Sequence, residues 1–201
     1  MNYNYKSRYL LTFTLRTDGA SVFARNNKWG TFPSVAIGWN VADEDFFSNL
    51  RTNISQLKVR VSYGQTGNAA IGSNAFAAYR STNSWLNGND QLETGVVLQR
   101  LENPNLKWET TTEANFGLDV SLFNGRLDAS LEYYNRVISD LLNSHGLNSY
   151  HVINNITANI GATQSRGVEA TLNTVDVQQR NFQWRSTFVA SRFRDRWKER
   201  A

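Results

Sequence analysis

The sequence predicts an all-β protein built from long antiparallel strands, and three observations predict it. Apolar and polar residues alternate in seven separate runs along the chain. Two of these runs are joined by Asn124-Gly125, a pair that favours a type I′ hairpin turn because both turn residues need a positive φ. Long connections rich in Asn, Ser and Gly alternate along the chain with mostly short connections. The chain is therefore predicted to form one sheet in which successive strands are neighbours.

In each of the seven runs, apolar residues occupy most of the positions of one parity and polar residues most of the other. The runs cover residues 8–18, 29–41, 57–63, 108–123, 126–137, 168–173 and 182–188. Pro33 lies inside the second run, and because proline cannot donate to a β-ladder, a bulge or an irregular pair is expected there. The connection after the second run, around ADEDFFSNLRTNIS, is expected to hold a short helical turn.

The hairpin centred on residues 124–125 has a predictable register. A two-residue loop places Leu118 opposite Leu131 and Asp119 opposite Ser130, and the same pattern continues for four rungs. We call the side that carries Leu118 and Leu131 the apolar face and the side that carries Asp119 the polar face. The same two names are used for the corresponding sides of the other strands.

Charged side chains occur on only one of the two faces. Across the seven runs the apolar face has no Asp, Glu, Lys or Arg, whereas the polar face carries charges of both signs. A charge that faces lipid from a transmembrane strand costs about 2–4 kcal/mol near the bilayer midplane, whereas the lumen of a barrel is wet. The charged residues predicted to face such a lumen are Arg16, Lys58, Arg60, Glu109, Glu113, Asp119, Asp128, Glu132, Glu169 and Arg185.

Strand length and tryptophan spacing favour a membrane barrel over a soluble sheet with two core tryptophans. Strands of soluble proteins usually have about 5–6 residues, and the runs around the hairpin are much longer. Trp29 and Trp39 lie on the same face, at a separation of roughly 25 Å along a barrel axis, the height of the apolar band between two aromatic girdles. Trp29, Trp39, Trp108 and Trp184 are predicted to form lipid girdles. The prediction is an antiparallel up-and-down transmembrane β-barrel, represented by an incomplete curved sheet of about seven long strands.

The distribution of charge argues against a nucleic-acid binder. The net charge is +4, but residues 192–201, RFRDRWKERA, carry five basic and two acidic side chains, and the rest of the chain is almost neutral. This segment does not resemble a membrane strand and is predicted to be a basic C-terminal tail.

Catalytic and metal-binding chemistry is not indicated by the sequence. There is no cysteine, and the two histidines, His145 and His151, lack a carboxylate at ligand spacing. The glycine-rich stretch 64–72 is not followed by the Lys-Ser/Thr of a phosphate-binding loop, and NGND at 87–90 is a weak calcium motif. We predict no enzymatic activity, no metal site and no cofactor.

The long connection between residues 65 and 106 contains the candidate contacts for a solute. Phe76, Tyr79, Trp85 and Asn87 lie there among small residues. Aromatic side chains in such a loop suit stacking on sugar faces or packing against a lid protein, and the alternative is a small core of the loop itself.

Several stretches resemble one known family. RYLLTFTLRTDGAS (8–21), KWGTFPSVAIGWNV (28–41), LKVRVSYGQTGN (57–68), NPNLKWETTTEANFGLDVSLFNGRLDASLEYYNR (103–136) and GVEATLN (167–173) resemble the barrel of the SusC/RagA-type TonB-dependent outer-membrane transporters. The stretches occur in the order of the family and cover more than half of the chain. The TFPS, SYGQTGN and NPNLKWE phrases are the most specific.

The resemblance implies a fold, a location and partners. It implies that residues 1–191 are part of a 22-stranded barrel in the outer membrane of a Gram-negative, Bacteroidetes-like bacterium. Such barrels enclose a plug and import glycans or peptides, with a SusD-like lipoprotein as lid and TonB as energy source. Lipid and lipopolysaccharide would surround the barrel. A fragment of seven strands cannot close, so the isolated chain is expected not to transport. The alternative is a soluble secreted β-sandwich with a structural or adhesive role.

Overall fold

The computed structural model describes residues 1–70, 75–86, 88–89, 91–148, 150 and 153–200. Strands dominate this part of the chain, accompanied by short 3₁₀ segments at Arg25–Asn27, Val41–Asp43 and Asp45–Leu50. Among these residues, no helix has the length and apolar character needed to span a bilayer.

The strands are numbered in chain order. They are β1 Asn2–Tyr5, β2 Tyr9–Gly19, β3 Trp29–Asn40, β4 Ile54–Asn68, β5 Ala78–Leu86, β6 Leu92–Arg100, β7 Glu109–Leu122, β8 Leu127–Ser139, β9 Leu142–Gly146, β10 Asn155–Asn159, β11 Ala162–Gln179 and β12 Phe182–Glu199. Seven of them, β2, β3, β4, β7, β8, β11 and β12, correspond to the seven runs of alternation, which confirms the predicted all-β class.

The main sheet is an antiparallel meander. Its eight strands follow the order β1-β2-β3-β4-β7-β8-β11-β12, and β1 and β12 are the two edges, so the sheet is open. The eighth strand, β1, was not predicted, because its four residues NYNY are too few to show a period. Two separate hairpins, β5–β6 and β9–β10, lie within the two longest connections.

With one exception, the connections segregate by length to the two ends of the sheet. Long connections, residues 20–28, 69–108 and 140–161, lie at one end, which we call the loop end. The other end, the turn end, has connections at residues 6–8, 41–53, 123–126 and 180–181. Only the connection 41–53 is longer than a tight turn, and it contains two of the 3₁₀ segments, as the sequence predicted.

The central hairpin has the predicted register. Leu118 is opposite Leu131 and Asp119 is opposite Ser130. The turn residues Asn124 and Gly125 have φ values of 58° and 81°, as a type I′ turn requires, and Phe123 also has a positive φ of 54°.

Pro33 needs no bulge. It lies opposite Leu15 of β2, with regular pairing on both sides. The ladder between β3 and β4 begins one residue later, where Ser34 lies opposite Gly64. A residue that cannot donate a hydrogen bond therefore stands where β3 has a partner on one side only.

The C-terminal segment differs from the prediction of a tail. β12 continues through residues 192–199, where Arg192 lies opposite Val168 and Trp197 opposite Thr163 of β11. The apolar–polar alternation changes sides within this strand, so the alternation does not show that its ladder with β11 is continuous. The basic residues of the segment belong to an 18-residue strand.

The apolar face of the main sheet is uncovered. Large side chains on it are exposed, among them Leu15 at 60%, Ile37 at 55% and Leu131 at 47%. In the part of the chain that the structure describes, no second sheet packs on this face, and the buried apolar residues form two small clusters near the ends of the strands. A β-sandwich would place its core here, so the soluble alternative is not favoured.

Candidate functional site

The polar face carries a network of ion pairs at its centre. Arg60 of β4 binds Asp119 of β7 through two hydrogen bonds of 2.7 and 3.0 Å, and its Nη2 also lies 2.6 Å from a carboxylate oxygen of Glu132 on β8. Ser130 donates a further hydrogen bond of 2.9 Å to Asp119. One guanidinium thus links three adjacent strands, in the planar two-oxygen geometry that favours arginine over lysine.

A glycine makes this reach possible. Gly117 lies between Arg60 and Glu132 in the register of the sheet. A Cβ atom on Gly117 would be 2.9 Å from the guanidinium carbon of Arg60, so any other residue would push the side chain away from Glu132. Glu132 is also directly opposite Glu169 of β11. Because like charges in that position repel, the arginine offsets a repulsion as well as making an attraction.

The pairing of Arg60 with Glu132 gives a measurable coupling energy. Both side chains are about one-third exposed, so solvent screens the pair, and we expect a coupling of about 1 kcal/mol in a double-mutant cycle with Arg60→Met and Glu132→Gln. The measurement is the free energy of unfolding of the four proteins, repeated at high salt, where the coupling should fall. Strictly additive effects of the two substitutions would contradict the network.

A second group of charges lines a groove near the loop end. Glu113 and Arg136 form an ion pair of 2.6 Å, and Arg16 lies 2.7 Å from Asp18. The groove has a volume of about 520 Å³ and is lined by side chains from β2, β3, β4 and β7, including Arg16, Phe32 and Glu113. Its hydroxyl, amide and charged groups could hydrogen-bond to a polar solute.

The other charged residues predicted to face the lumen also lie on the polar face. Lys58 is opposite Asp119, Asp128 is opposite Ser121, and Arg185 is opposite Val175. Glu109 lies at the loop end, where it accepts hydrogen bonds from Asn68 and from the backbone of Leu142. These residues follow the strands in rows rather than converging on one point, as lining residues do.

Three of the four predicted girdle tryptophans are exposed at strand ends. Trp29 lies at the loop end, and Trp39 and Trp184 lie at the turn end. Trp108 does not extend the apolar face. β7 begins only at Glu109, and the indole of Trp108 packs 5.5 Å from the ring of Phe32, which belongs to the groove on the polar face.

Trp108 belongs instead to a cluster that ties the loops together. Phe23, Ala75 and Leu106 are its buried members, contributed by two long connections, and Leu142 packs against them from the third. Asn103 donates 2.8 Å to the carbonyl of Thr157, and Asn159 bonds the backbone of Lys107. The NPNLKWE phrase is therefore an anchor for the loops.

The candidate solute contacts lie in the connection between β4 and β7. Phe76 and Tyr79 are exposed, and Tyr79 and Trp85 lie on β5 of the protruding hairpin. Asn87 lies outside the described residues. The structure thus brings the first two to the surface of the loop end without joining them to the ion pairs.

No pattern in the sequence indicates the polar cluster that lies at the turn end. Glu44, in the connection 41–53, is buried and accepts hydrogen bonds from the hydroxyl of Tyr9 at 2.5 Å, the indole of Trp39 at 3.0 Å and the guanidinium of Arg8 at 3.1 Å. The bond from Tyr9, followed by that from Trp39, holds the pKa of Glu44 below its usual value. Arg8 and Tyr9 are about 35 residues away along the chain, and no spacing rule links such positions.

Metal-binding groups do not cluster in the described part of the chain: no three His, Cys, Asp or Glu side chains there could share an ion. His145 lies on β9, and His151 is outside the described residues.

Comparisons with known proteins identify the family. The model of the family described as "TonB dependent receptor-like, beta-barrel" matches residues 1–199, including the segment predicted to be a tail. The chain is 42% identical over 197 residues to TonB-dependent receptor P26 of Formosa agariphila, covering 95% of this chain and 19% of that protein. It is 35% identical over 196 residues to TonB-dependent receptor SusC of Bacteroides thetaiotaomicron, covering 92% of this chain and 19% of that protein.

Solved structures agree with the sequence relatives. The structure of the RagAB peptide transporter matches with a TM-score of 0.88 and 26% identity, covering 99% of this chain and 22% of that chain. The siderophore receptor PirA from Pseudomonas aeruginosa, at 15% identity and a TM-score of 0.57, shares the fold alone. The chain spans about a fifth of the length of the relatives it matches, and these relatives are receptors and transporters by name, not enzymes. The chain belongs to the TonB-dependent receptor family, whose β-barrel its open eight-stranded sheet matches.

Proposed function

We propose that this chain is part of the barrel wall of an outer-membrane transporter that imports nutrients too large for porins, either glycans or peptides. The observation that carries the proposal is the uncovered apolar face on strands of 11 to 18 residues, opposite a face built of ion pairs. Outer-membrane strands combine a lipid-facing apolar band with a polar interior in this way. The match to the RagAB peptide transporter supports peptides as one class of cargo.

The two ends of the sheet receive different roles under this proposal. Long connections are typical of the extracellular side of such barrels and short turns of the periplasmic side. The loop end then lies outside the cell, where Phe76, Tyr79, Trp85 and Asn87 contact cargo or a SusD-like lipoprotein lid. TonB acts from the periplasm. Trp29 would mark the outer lipid girdle, and Trp39 and Trp184 the inner one.

The polar face then lines the interior. Arg60 and Arg136 neutralise much of the negative charge of Asp119, Glu132 and Glu113. The wall therefore presents hydrogen-bonding groups with little net charge. Such a surface suits a plug or a polar cargo of either sign. Its role is to line the path of the cargo through the barrel.

Growth tests the proposal in the organism that encodes the chain. Deleting the gene should abolish growth on one class of large nutrient, glycans or peptides, as the sole source of carbon. Growth on the corresponding monosaccharides or amino acids should remain normal, because porins pass them. Restoring the intact gene should restore growth. Unchanged growth on every large glycan and peptide would contradict the import function.

A further inference from the structure

Four arginines lie together on the apolar face near the loop end. Arg166 is on β11, and Arg192, Arg194 and Arg196 alternate along β12. The register assigns the face: Arg192 is opposite Val168, and Val168 is opposite Tyr133 of β8, which continues the row of Leu131. All four side chains belong to exposed residues. The face that otherwise avoids charge thus carries a concentrated positive patch.

Within the described part of the chain, no acidic side chain neutralises this patch: no carboxylate there forms an ion pair with any of the four arginines. Arg194 is directly opposite Arg166 in the antiparallel ladder, a position where like charges repel. An anion between the two guanidinium groups would turn this repulsion into attraction.

Neutral side chains hold two of the arginines in place. Arg196 donates two hydrogen bonds, of 2.9 and 2.6 Å, to the amide oxygen of Gln164, which is only 5% exposed. The amide nitrogen of Gln164 bonds the side-chain oxygen of Asn135 at 2.5 Å, and Arg166 bonds the same oxygen at 3.1 Å. This chain of amides positions Arg166 and Arg196 while leaving the charge of the patch unaltered.

The height of the patch indicates which anion is available. Ten residues of β12 separate Trp184, at the turn end, from Arg194, which at a tilt near 40° is roughly 25 Å along a barrel axis, the height of the apolar band. The patch therefore lies where the outer leaflet meets water. Arginine costs little at that depth. Phosphate groups of the outer-leaflet glycolipid lie at the same level.

We propose that Arg166, Arg192, Arg194 and Arg196 form a binding site on the outer wall for the phosphate groups of lipopolysaccharide. Guanidinium groups bind phosphate oxygens in pairs and keep their charge at every physiological pH. The inference rests on the proposed orientation of the apolar face toward lipid. It adds a site on the outside of the barrel, separate from the path of the cargo.

Binding of purified lipopolysaccharide to the intact transporter in detergent tests the site. We expect the triple variant R192Q/R194Q/R196Q to bind it at least about tenfold more weakly, since it loses three sets of charge-assisted hydrogen bonds to phosphate. The variant R192K/R194K/R196K keeps the charge and should lose much less. The matched control R180Q/R185Q removes two arginines near the turn end and should bind like the wild type.

Competition distinguishes the source of the phosphate. Lipopolysaccharide should displace a labelled copy of itself, whereas enzymatically dephosphorylated lipopolysaccharide should not, and inorganic phosphate should compete only weakly. Equal competition by the dephosphorylated form would overturn the site. Because this competition uses the wild-type protein, it tests the site even if the triple variant does not fold. Competition by inorganic phosphate as strong as that of lipopolysaccharide would overturn the lipid assignment.

A separate measurement isolates the orientation of the sheet. A nitroxide at Leu131→Cys in the intact transporter, reconstituted in a bilayer, should be relaxed by oxygen more than by a water-soluble nickel chelate. If the nickel chelate dominates, the proposed orientation fails and the site with it. If oxygen dominates and the triple variant still binds like the wild type, the phosphate site alone is wrong.

Discussion

Replacing Leu131 with arginine is expected to destabilise the intact barrel by about 2–4 kcal/mol, the cost of a charge on a lipid-facing strand near the bilayer midplane. Leu131 lies in the middle of β8, opposite Leu118 and Ala170, and its side chain is half exposed on the apolar face. In water such an exposed position would tolerate arginine with little effect. The size of the loss therefore reports the solvent that this face contacts. The measurement is urea-induced unfolding of the transporter in lipid vesicles.

Thr171→Arg is the matched control for this substitution. Thr171 lies on the neighbouring strand β11, opposite Ser130, so it belongs to the polar face at nearly the same height. A change of less than about 1 kcal/mol is expected there, because lumen positions tolerate charge. Equal losses for Leu131→Arg and Thr171→Arg would mean that the two faces contact similar surroundings and would remove the basis of the transporter proposal.

Replacing Leu106 with alanine is expected to loosen the loop end by about 2–5 kcal/mol, the range for truncating a fully buried leucine. Leu106 has no exposed surface and packs with Phe23 and Ala75, so it joins two of the long connections. The strands themselves should remain folded, because this cluster lies outside their ladders. Hydrogen–deuterium exchange of residues 69–108 in the intact transporter measures the loss as faster local opening.

Leu92→Ala provides the comparison for the loop cluster. Leu92 belongs to the same connection, on β6, but is 67% exposed, so its truncation should change local opening by less than about 0.5 kcal/mol. If the amide protons of residues 69–108 exchange as slowly in Leu106→Ala as in Leu92→Ala, the cluster does not hold the loops. Under the proposed function, loosened loops should also impair growth on the large nutrient without affecting assembly of the barrel.

Local patterns were sufficient to predict most of the sheet. The alternation of residues 116–133 and the turn at Asn124-Gly125 predicted the pairing of Leu118 with Leu131, because a strand has a strict period of two and a tight turn fixes the register. The same period placed Arg60, Asp119 and Glu132 on one face. Which acid each arginine binds depends on side-chain reach across strands, and Gly117 provides the space that allows it.

Two predictions differ from the described structure where the period of two is interrupted. Trp108 stands one residue before β7, so the alternation of the strand does not determine the side of the sheet on which it lies. Its indole packs against the ring of Phe32 on the polar face instead. The alternation predicts a tail at residues 192–201 because β12 places arginines where the other strands have apolar residues. Apolar alternation identifies only the part of a strand that lies within the apolar band. The backbone hydrogen bonds to β11 continue beyond that band because they do not depend on side-chain polarity.

The sequence by itself determined the class, the strand order and the two faces of the sheet, because backbone geometry and local turns encode them within a few residues. Only the tertiary structure showed that the apolar face is uncovered, that Glu44 joins Arg8, Tyr9 and Trp39, and that arginines of β11 and β12 meet in one patch. These features depend on which strands become neighbours and on how far side chains reach between them. Residues that are distant along the chain are brought together by the hydrogen-bonded ladder, and no local pattern records that distance.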